Sequence, residues 1–349
     1  MKTICIVAGA RPNFIKIAPL IRAIQATEEA RCQLVYAGCE DDPTLEATLF
    51  DDLQMPRPDV FLGVDSASLN EITSMVMARF DAYLNDHLTD VVIVVDDLAS
   101  TMAAAIVTKK RGVRLAHLVA GTRSFDINMP KEINRLVIDS LSDYLFTAGV
   151  KSNSVASRSQ GDASETYMVG NILMDTLRYN MSRLRKPQFD IQEKNYIVLT
   201  INRKVLLSDQ EHLKVMLDAI VSVANGMRVI APLRPSAADV VKKLNPGIEV
   251  VEPLSYLEFG WITAHAKGII TDSGNVAEEA TFNNVPCITL NSYTEHQETV
   301  TMGSNILVGG DTTQLSEAVA KMIKGEWKSA QLPERWDGRT AERIVKILL

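Results

Sequence analysis

Four stretches of the chain combine residue types that could do chemistry. GARPNFIK at 9–16 puts Gly9 at a turn, then Arg11 in a loop and Lys16 about one turn into a helix. Pro12 fits near a helix start, where its missing N–H costs nothing. Both cations are placed to meet an anion. VVIVVDD at 91–97 ends an apolar strand in two carboxylates. Asp97, ahead of Asp96, is the candidate to orient a hydroxyl or move a proton; the plainer reading is a cap for the following helix. PKEINRLVIDSL at 130–141 spaces Lys131, Arg135 and Asp139 four apart on one helix face, with Glu132 beside them. Ile133, Leu136, Val137 and Leu141 supply an apolar stripe. The plainer reading of the charged face is a solvated row of ion pairs. Arg123 lies in the loop before this helix, close to Gly121.

The fourth stretch is GIITDSGNVAEEA at 268–280. A strand ends in Thr-Asp, Ser273 sits at a helix start as a competent N-cap, and Gly274 allows close approach. Free backbone N–H groups at such a start favour phosphate. Glu278 or Glu279, a turn further on, would repel a phosphate but could accept hydrogen bonds from ribose hydroxyls. A diphosphate at the helix start with a ribose beside the glutamate is a nucleoside-diphosphate site. A capped helix with charged decoration is the alternative.

These stretches need elements to hold them, and the hydrophobic pattern supplies two series. Short apolar runs at 4–9, 32–38, 91–97, 114–121 and 144–149 alternate with amphipathic segments such as 14–27 and 98–110. After a polar connector at 171–194 the pattern restarts with runs at 196–200, 227–233, 248–256, 268–274 and 286–292. Helices are expected at 209–225, 314–324 and 339–349. Strands alternating with helices predict parallel sheets covered on both sides. The expected fold is α/β, two Rossmann-like domains facing across a cleft. The boundaries are 1–170, a hinge at 171–194, 195–330, and a C-terminal helix in 331–349 packing back on the first domain. Ligands of such folds bind where loops and helix starts converge at the carboxyl ends of the strands.

The bulk properties remove several classes. The chain has 349 residues, 46% of them hydrophobic, which suffices for two ordinary cores. A net charge of −7, without any basic strip, argues against nucleic acid. The longest apolar runs are too short to span a membrane, so a cytoplasmic protein is expected. Cys5, Cys32, Cys39 and Cys287 are scattered, which predicts free thiols and no metal site.

Taken together, GARPNFIKIAPL at 9–20, AGTRS at 120–124, PKEINRLVIDSLSDYLF at 130–146, VGNILMDTL at 169–177, TDSGNVAEEA at 271–280 and TEHQETV at 294–300 are similar to the UDP-N-acetylglucosamine 2-epimerase family, the non-hydrolysing type. The resemblance runs over nearly the whole chain. It implies a GT-B-like pair of domains, usually homodimeric, that interconverts UDP-GlcNAc and UDP-ManNAc without a cofactor. It places Arg11, Lys16 and Asp97 in the active cleft. It gives Arg135 to the P-E-E-x-N-R element, Ser273 and Gly274 to the diphosphate, Glu279 to ribose, and Arg203 to the T-x-H-R element, which reads TINR here. Lys131 and Glu132 join the candidate catalytic set, and Arg123 the nucleotide-binding one.

The chain departs from the family pattern on the side that does chemistry. The glutamate of H-V-E-A-G is Val119, the first glutamate of P-E-E is Lys131, and the histidine of T-x-H-R is Asn202. G-Q-H appears as Gly38-Cys39-Glu40, P-x-H-P carries Arg234, and T-E-R-P-E carries His296 and Gln297. Elimination of UDP and re-addition need proton transfer at both faces of C2. Asp97, Glu132, Glu40 and His117 remain as substitutes, although His117 within an apolar strand reads first as a core residue. Three functions follow from the sequence: a 2-epimerase with a rebuilt acid/base set, another nucleotide-sugar hydrolase or glycosyltransferase, or a nucleotide-sugar-binding protein without turnover.

Overall fold

A computed structural model describes residues 1–159 and 164–349. The chain divides into two compact units, Met1–Tyr179 with Glu334–Leu349, and Asn180–Pro333.

The first unit is built on seven strands: β1 (Lys2–Ala8), β2 (Ala30–Tyr36), β3 (Val60–Phe61), β4 (Val91–Val95), β5 (Arg114–Ala120), β6 (Tyr144–Thr147) and β7 (Glu165–Met168). Their order is β3-β2-β1-β4-β5-β6-β7, all parallel. The helices are α1 (Arg11–Gln25), α2 (Ala47–Leu53), α3 (Leu69–Asp86), α4 (Ala99–Lys110), α5 (Pro130–Leu141), α6 (Val150–Ser159) and α7 (Ile172–Asn180). Parallel strands are covered on both faces, which is why β4 reads VVIVV with every residue buried.

The second unit has β8 (Tyr196–Thr200), β9 (Arg228–Pro232), β10 (Glu249–Val251), β11 (Gly268–Thr271), β12 (Cys287–Thr289) and β13 (Asn305–Leu307), in the order β10-β9-β8-β11-β12-β13 and again all parallel. Its helices are α8 (Lys204–Ser208), α9 (Gln210–Ala224), α10 (Pro235–Leu244), α11 (Tyr256–Ala264), α12 (Gly274–Phe282), α13 (Glu298–Thr301) and α14 (Thr312–Lys324). The last helix, α15 (Thr340–Leu348), belongs to the first unit. Both units are doubly wound, the Rossmann-like pattern of a GT-B-like chain. Strand order reverses between β1 and β4 in one and between β8 and β11 in the other. Those switch points leave a crevice at the carboxyl ends of the strands.

Several elements differ from the sequence pattern. The run at 248–256 holds only a three-residue strand. Its end belongs to α11, which Ser255 starts by accepting from the Glu258 N–H while Glu258 reaches back to the Ser255 N–H. Helix α3 follows a Ser68 cap that the periodicity did not single out. The largest departure is α5. Ile133 and Leu136, expected to pack, are exposed. Glu132, Asn134, Arg135, Ile138 and Asp139 are buried instead. This helix turns its polar face inward, because the first unit meets it with charged partners. The four cysteines are free. Among the described residues no helix is long and apolar enough to cross a membrane, and no acidic, His or Cys group could hold a metal ion.

Candidate active site

In the first unit the switch point is closed by the loop after β1 and the turn after β4. Gly9 packs so tightly on the start of α4 that a Cβ there would lie 2.0 Å from Ser100 Oγ. The Asn13 carboxamide oxygen accepts from the Gly9 and Ala10 N–H groups at 2.9 and 3.1 Å, and its amide donates to Asp96 Oδ2 at 2.8 Å. Lys16, expected on the ligand, donates to Asp96 Oδ1 at 2.6 Å and is buried. Arg11 pairs with Glu46 at 2.9 Å.

Asp97 does not cap α4. Its Oδ2 accepts from Arg135 Nε at 2.8 Å and Nη2 at 2.6 Å, and Lys131 Nζ lies 3.4 Å from Oδ1. Burial pushes the Asp97 carboxyl up, but Lys131 and Arg135 outweigh it and hold it below its ordinary value. It is therefore ionised at neutral pH, with 13% of its side chain open to solvent. Lys131 is exposed.

Glu132 is buried and held through one oxygen by three donors. Its Oε2 accepts from the Ser124 N–H, the Ser124 hydroxyl and Arg135 Nη1, at 2.8, 2.9 and 3.2 Å. Burial raises its carboxyl, and those donors bring it below its ordinary value. Arg123, expected on the nucleotide, is turned inward. Its Nη1 lies 2.6 Å from Asp139 Oδ2, and its Nη2 is buried without a hydrogen-bond partner. Asp139 Oδ1 meets His117 Nδ1 at 2.5 Å, and His117 Nε2 meets the Asp96 carbonyl at 2.9 Å. Apart from exposed Lys131, the face whose plainer reading was a solvated row of ion pairs is a buried ionic network. In the same unit, between the loops after β1 and β2 and the start of α4, a cavity of about 410 Å³ is lined by Gly9, Asp41, Asp42, Asp65, Ser66 and Ser100, among others.

In the second unit the Asp272 carboxylate, at the end of β11, accepts from the Asn202 and Arg203 N–H groups, both at 2.7 Å. This fixes the loop after β8. The Arg203 guanidinium stands 6.0 Å from the Tyr293 ring centroid. Ser273 occupies the N-cap position of α12, but its side chain makes no cap bond. Nothing lies within 4 Å of the space a Cβ on Gly274 would fill. The positive end of α12 is thus open to an anion. Glu279 is buried, and burial followed by the charge of Glu278 pushes its carboxyl up to about 8. Glu278 is itself buried, 3.3 Å from His296 Nδ1.

A protein-family model described as UDP-N-acetylglucosamine 2-epimerase matches residues 22–349. The chain belongs to this family. It is 33% identical to the UDP-N-acetylglucosamine 2-epimerase of Methanocaldococcus jannaschii, with 98% of each chain covered. It is 31% identical to the UDP-2,3-diacetamido-2,3-dideoxy-D-glucuronate 2-epimerase of Pseudomonas aeruginosa, with 91% of each covered. Among solved structures, the Methanocaldococcus jannaschii UDP-GlcNAc 2-epimerase in complex with UDP-GlcNAc and UDP superposes with a TM-score of 0.87 at 32% identity, covering 100% of this chain and 99% of that one.

Within a member of the 2-epimerase family, the switch points of both units carry the elements picked out from the sequence. Of the network, Asn134 carries no signal there; Asp96 ranks below Asp97, Asp139 shares one face with Lys131 and Arg135, and His117 reads first as a satisfied core residue, as its burial and hydrogen bonds bear out. The signal is faint: a polar residue in an apolar strand, and a helix with polar residues at 132, 135 and 139, spaced i, i+3 and i+7.

Proposed function

We propose that this protein is a UDP-N-acetylglucosamine 2-epimerase that interconverts UDP-GlcNAc and UDP-ManNAc. The reaction removes the C2 proton and breaks the C1–O bond, the electron pair leaving with UDP. A 2-acetamidoglucal remains. Re-addition of UDP, with a proton delivered to the other face of C2, gives the epimer. Asp97 carries this reading: an ionised, partly open carboxylate at a switch point, oriented by Arg135 and next to the exposed cation of Lys131. It is suited to accept or return a proton.

In the second unit Arg203, in an exposed loop, can turn toward an anion at modest cost; in the first, Arg11 need only leave its surface ion pair with Glu46 to do so. The open start of α12 at Ser273 and Gly274 takes the diphosphate, and Glu279 accepts from the ribose hydroxyls. The cavity at the start of α4, lined by Leu98, Ala99 and Ser100, which follow Asp97 in the chain, also carries Asp41, Asp42 and Asp65 and no lysine or arginine. Carboxylates accept from sugar hydroxyls and repel a uronate. That favours an uncharged sugar such as GlcNAc over the acidic sugar named for the Pseudomonas aeruginosa relative. A homodimer working in the cytoplasm goes with this reading.

Val119 and Lys131 favour one competing reading, a nucleotide-sugar-binding protein without turnover. Incubation with UDP-GlcNAc in D2O, followed by NMR, separates the two. An epimerase forms UDP-ManNAc with deuterium at C2, and Asp97→Asn slows that exchange by about 100-fold or more. Bound UDP with no exchange, across a panel of UDP-sugars, gives the case to the binding protein. UDP release with free sugar marks a hydrolase, and release only with an added acceptor marks a transferase.

A further inference from the structure

We propose that His117 is a positioning residue, protonated on both ring nitrogens, that fixes the Asp96–Asp97 turn. The inference rests on the epimerase reading for the reaction it serves, but not for the protonation.

Hydrogen-bond bookkeeping sets the protons. His117 Nε2 meets the backbone carbonyl of Asp96 at 2.9 Å. A carbonyl only accepts, so Nε2 donates. His117 Nδ1 meets Asp139 Oδ1 at 2.5 Å. The other oxygen of Asp139 already accepts from the Gly121 N–H at 3.1 Å and from Arg123 Nη1 at 2.6 Å. Those two donors, one of them a guanidinium, hold Asp139 ionised without any contribution from His117. Asp139 is an ionised acceptor, so Nδ1 donates as well. A neutral imidazole has one N–H and would leave one of these two bonds facing a lone pair. With His117 only 1% exposed, water does not fill that gap.

The geometry shows what the two bonds hold. Asp96 has φ +60° and Val119 has φ +74°, so two neighbouring strand ends lie in the left-handed region. The Asp96 N–H donates to the Leu118 carbonyl at 3.2 Å, which ties these ends to each other. A branched residue such as Val119 rarely adopts this conformation, so its surroundings must impose it. His117 clamps the Asp96 carbonyl to α5 through Asp139. Asn134, also on α5, donates to the Asp97 carbonyl at 2.8 Å. Both carbonyls of the turn are thereby tied to the helix that carries Arg135. The charged groups around the clamp are Asp139 of α5, Arg123 of the loop after β5, and Lys16 of α1, which pairs with the Asp96 carboxylate. Arg135 meets Asp97 in one geometry because the turn and the helix are fastened together.

The test has a spectroscopic arm and a kinetic arm. In the wild-type protein labelled with ¹⁵N-histidine at pH 7.5, both His117 nitrogens should show protonated chemical shifts and one-bond couplings. The signals are assigned by replacing His87, His212, His265 and His296 in turn. One unprotonated nitrogen on His117 would overturn the proposal, and this arm needs no His117 variant to fold. His117→Gln can serve one of the two acceptors but not both. It should lower C2 exchange by about 100-fold, the scale of a misplaced reacting group, while UDP affinity stays within about 2-fold. Exchange at the wild-type rate would overturn the positioning role. If the wild type itself shows no exchange, the epimerase reading fails separately. The positioning claim is then decided by a crystal structure of His117→Gln: a displaced Asp96–Asp97 turn supports it, and an unchanged left-handed Asp96 with Asp97 still on Arg135 defeats it.

Discussion

Glu279 buries its carboxylate without a hydrogen-bond donor on the protein, among the described residues. That arrangement costs stability and leaves an acceptor ready for a ligand. Its carboxyl is raised from an ordinary 4.5 to about 8, by burial first and Glu278 second. A group held above its unfolded value contributes stability that is fully present below about pH 4.5 and is lost as pH rises through about 8. Glu279→Gln cannot ionise and escapes this loss. Its unfolding free energy relative to wild type should therefore be near unchanged at pH 4.5 and higher by on the order of 1–3 kcal/mol at pH 8. Above about pH 8, where Glu279 is ionised, UDP affinity of the variant should fall below wild type, since an amide presents one acceptor where the carboxylate presents two. Denaturant melts of both proteins at the two pH values check this, and a variant no more stable at pH 8 would show that Glu279 is not forced to ionise in a dry site.

Helix α5 shows how an element can invert its own pattern. Its inward face is Glu132, Asn134, Arg135, Ile138 and Asp139, and its apolar Ile133 and Leu136 face out. Ionic partners from β4, β5 and the loop after β5 decide the rotation, because leaving Arg135 or Asp139 buried and unpaired would cost more than exposing two aliphatic side chains. Leu136→Lys should therefore change stability by no more than about 0.5 kcal/mol. Ile138→Ala, one of the few apolar contacts on the inner face, should cost about 2–5 kcal/mol. Urea titrations distinguish this from an ordinary amphipathic helix, in which Leu136→Lys would be the more damaging change.

At the scale of the whole molecule, the chain returns to complete its first unit with its last sixteen residues. Trp336 is 1% exposed and its indole N–H donates to the Ala148 carbonyl at 3.0 Å. Asp175 accepts from the Thr340 and Ala341 N–H groups at 3.0 and 2.7 Å, capping α15. Gly170, at φ +103°, lets the chain pass so close that a Cβ would lie 2.1 Å from the Arg335 carbonyl oxygen. Burying Trp336, Ile344, Val345 and Leu348 contributes roughly 1.5–3 kcal/mol each. That sum is comparable with the whole stability of an ordinary domain. A chain ended at Pro333 should lose hydrogen-exchange protection throughout β1–β7 while β8–β13 keep theirs. Undiminished protection in β1–β7 would mean that α15 is dispensable.

The sequence by itself determined five strands of each parallel series, since buried strands are continuous apolar runs; β3, β7 and β13, short and only partly buried, carried no such run. It also determined the places where chemistry is possible, because turns after such strands need recognisable residues: Gly9, the Asp96–Asp97 pair, and Ser273-Gly274. Helix bounds followed within a few residues where periodicity was strong, as in α4 and α9. The tertiary structure alone decided which charges are buried against carboxylates of the protein and which stay near its surface. Lys16 and Arg123 carry the same charge as Arg11 and Arg203, and nothing local distinguishes them. They are drawn inward by Asp96 and Asp139, carboxylates that lie 80 and 16 positions away along the chain. Pairing at such separations is set by strand order and helix rotation, and a one-dimensional pattern holds neither.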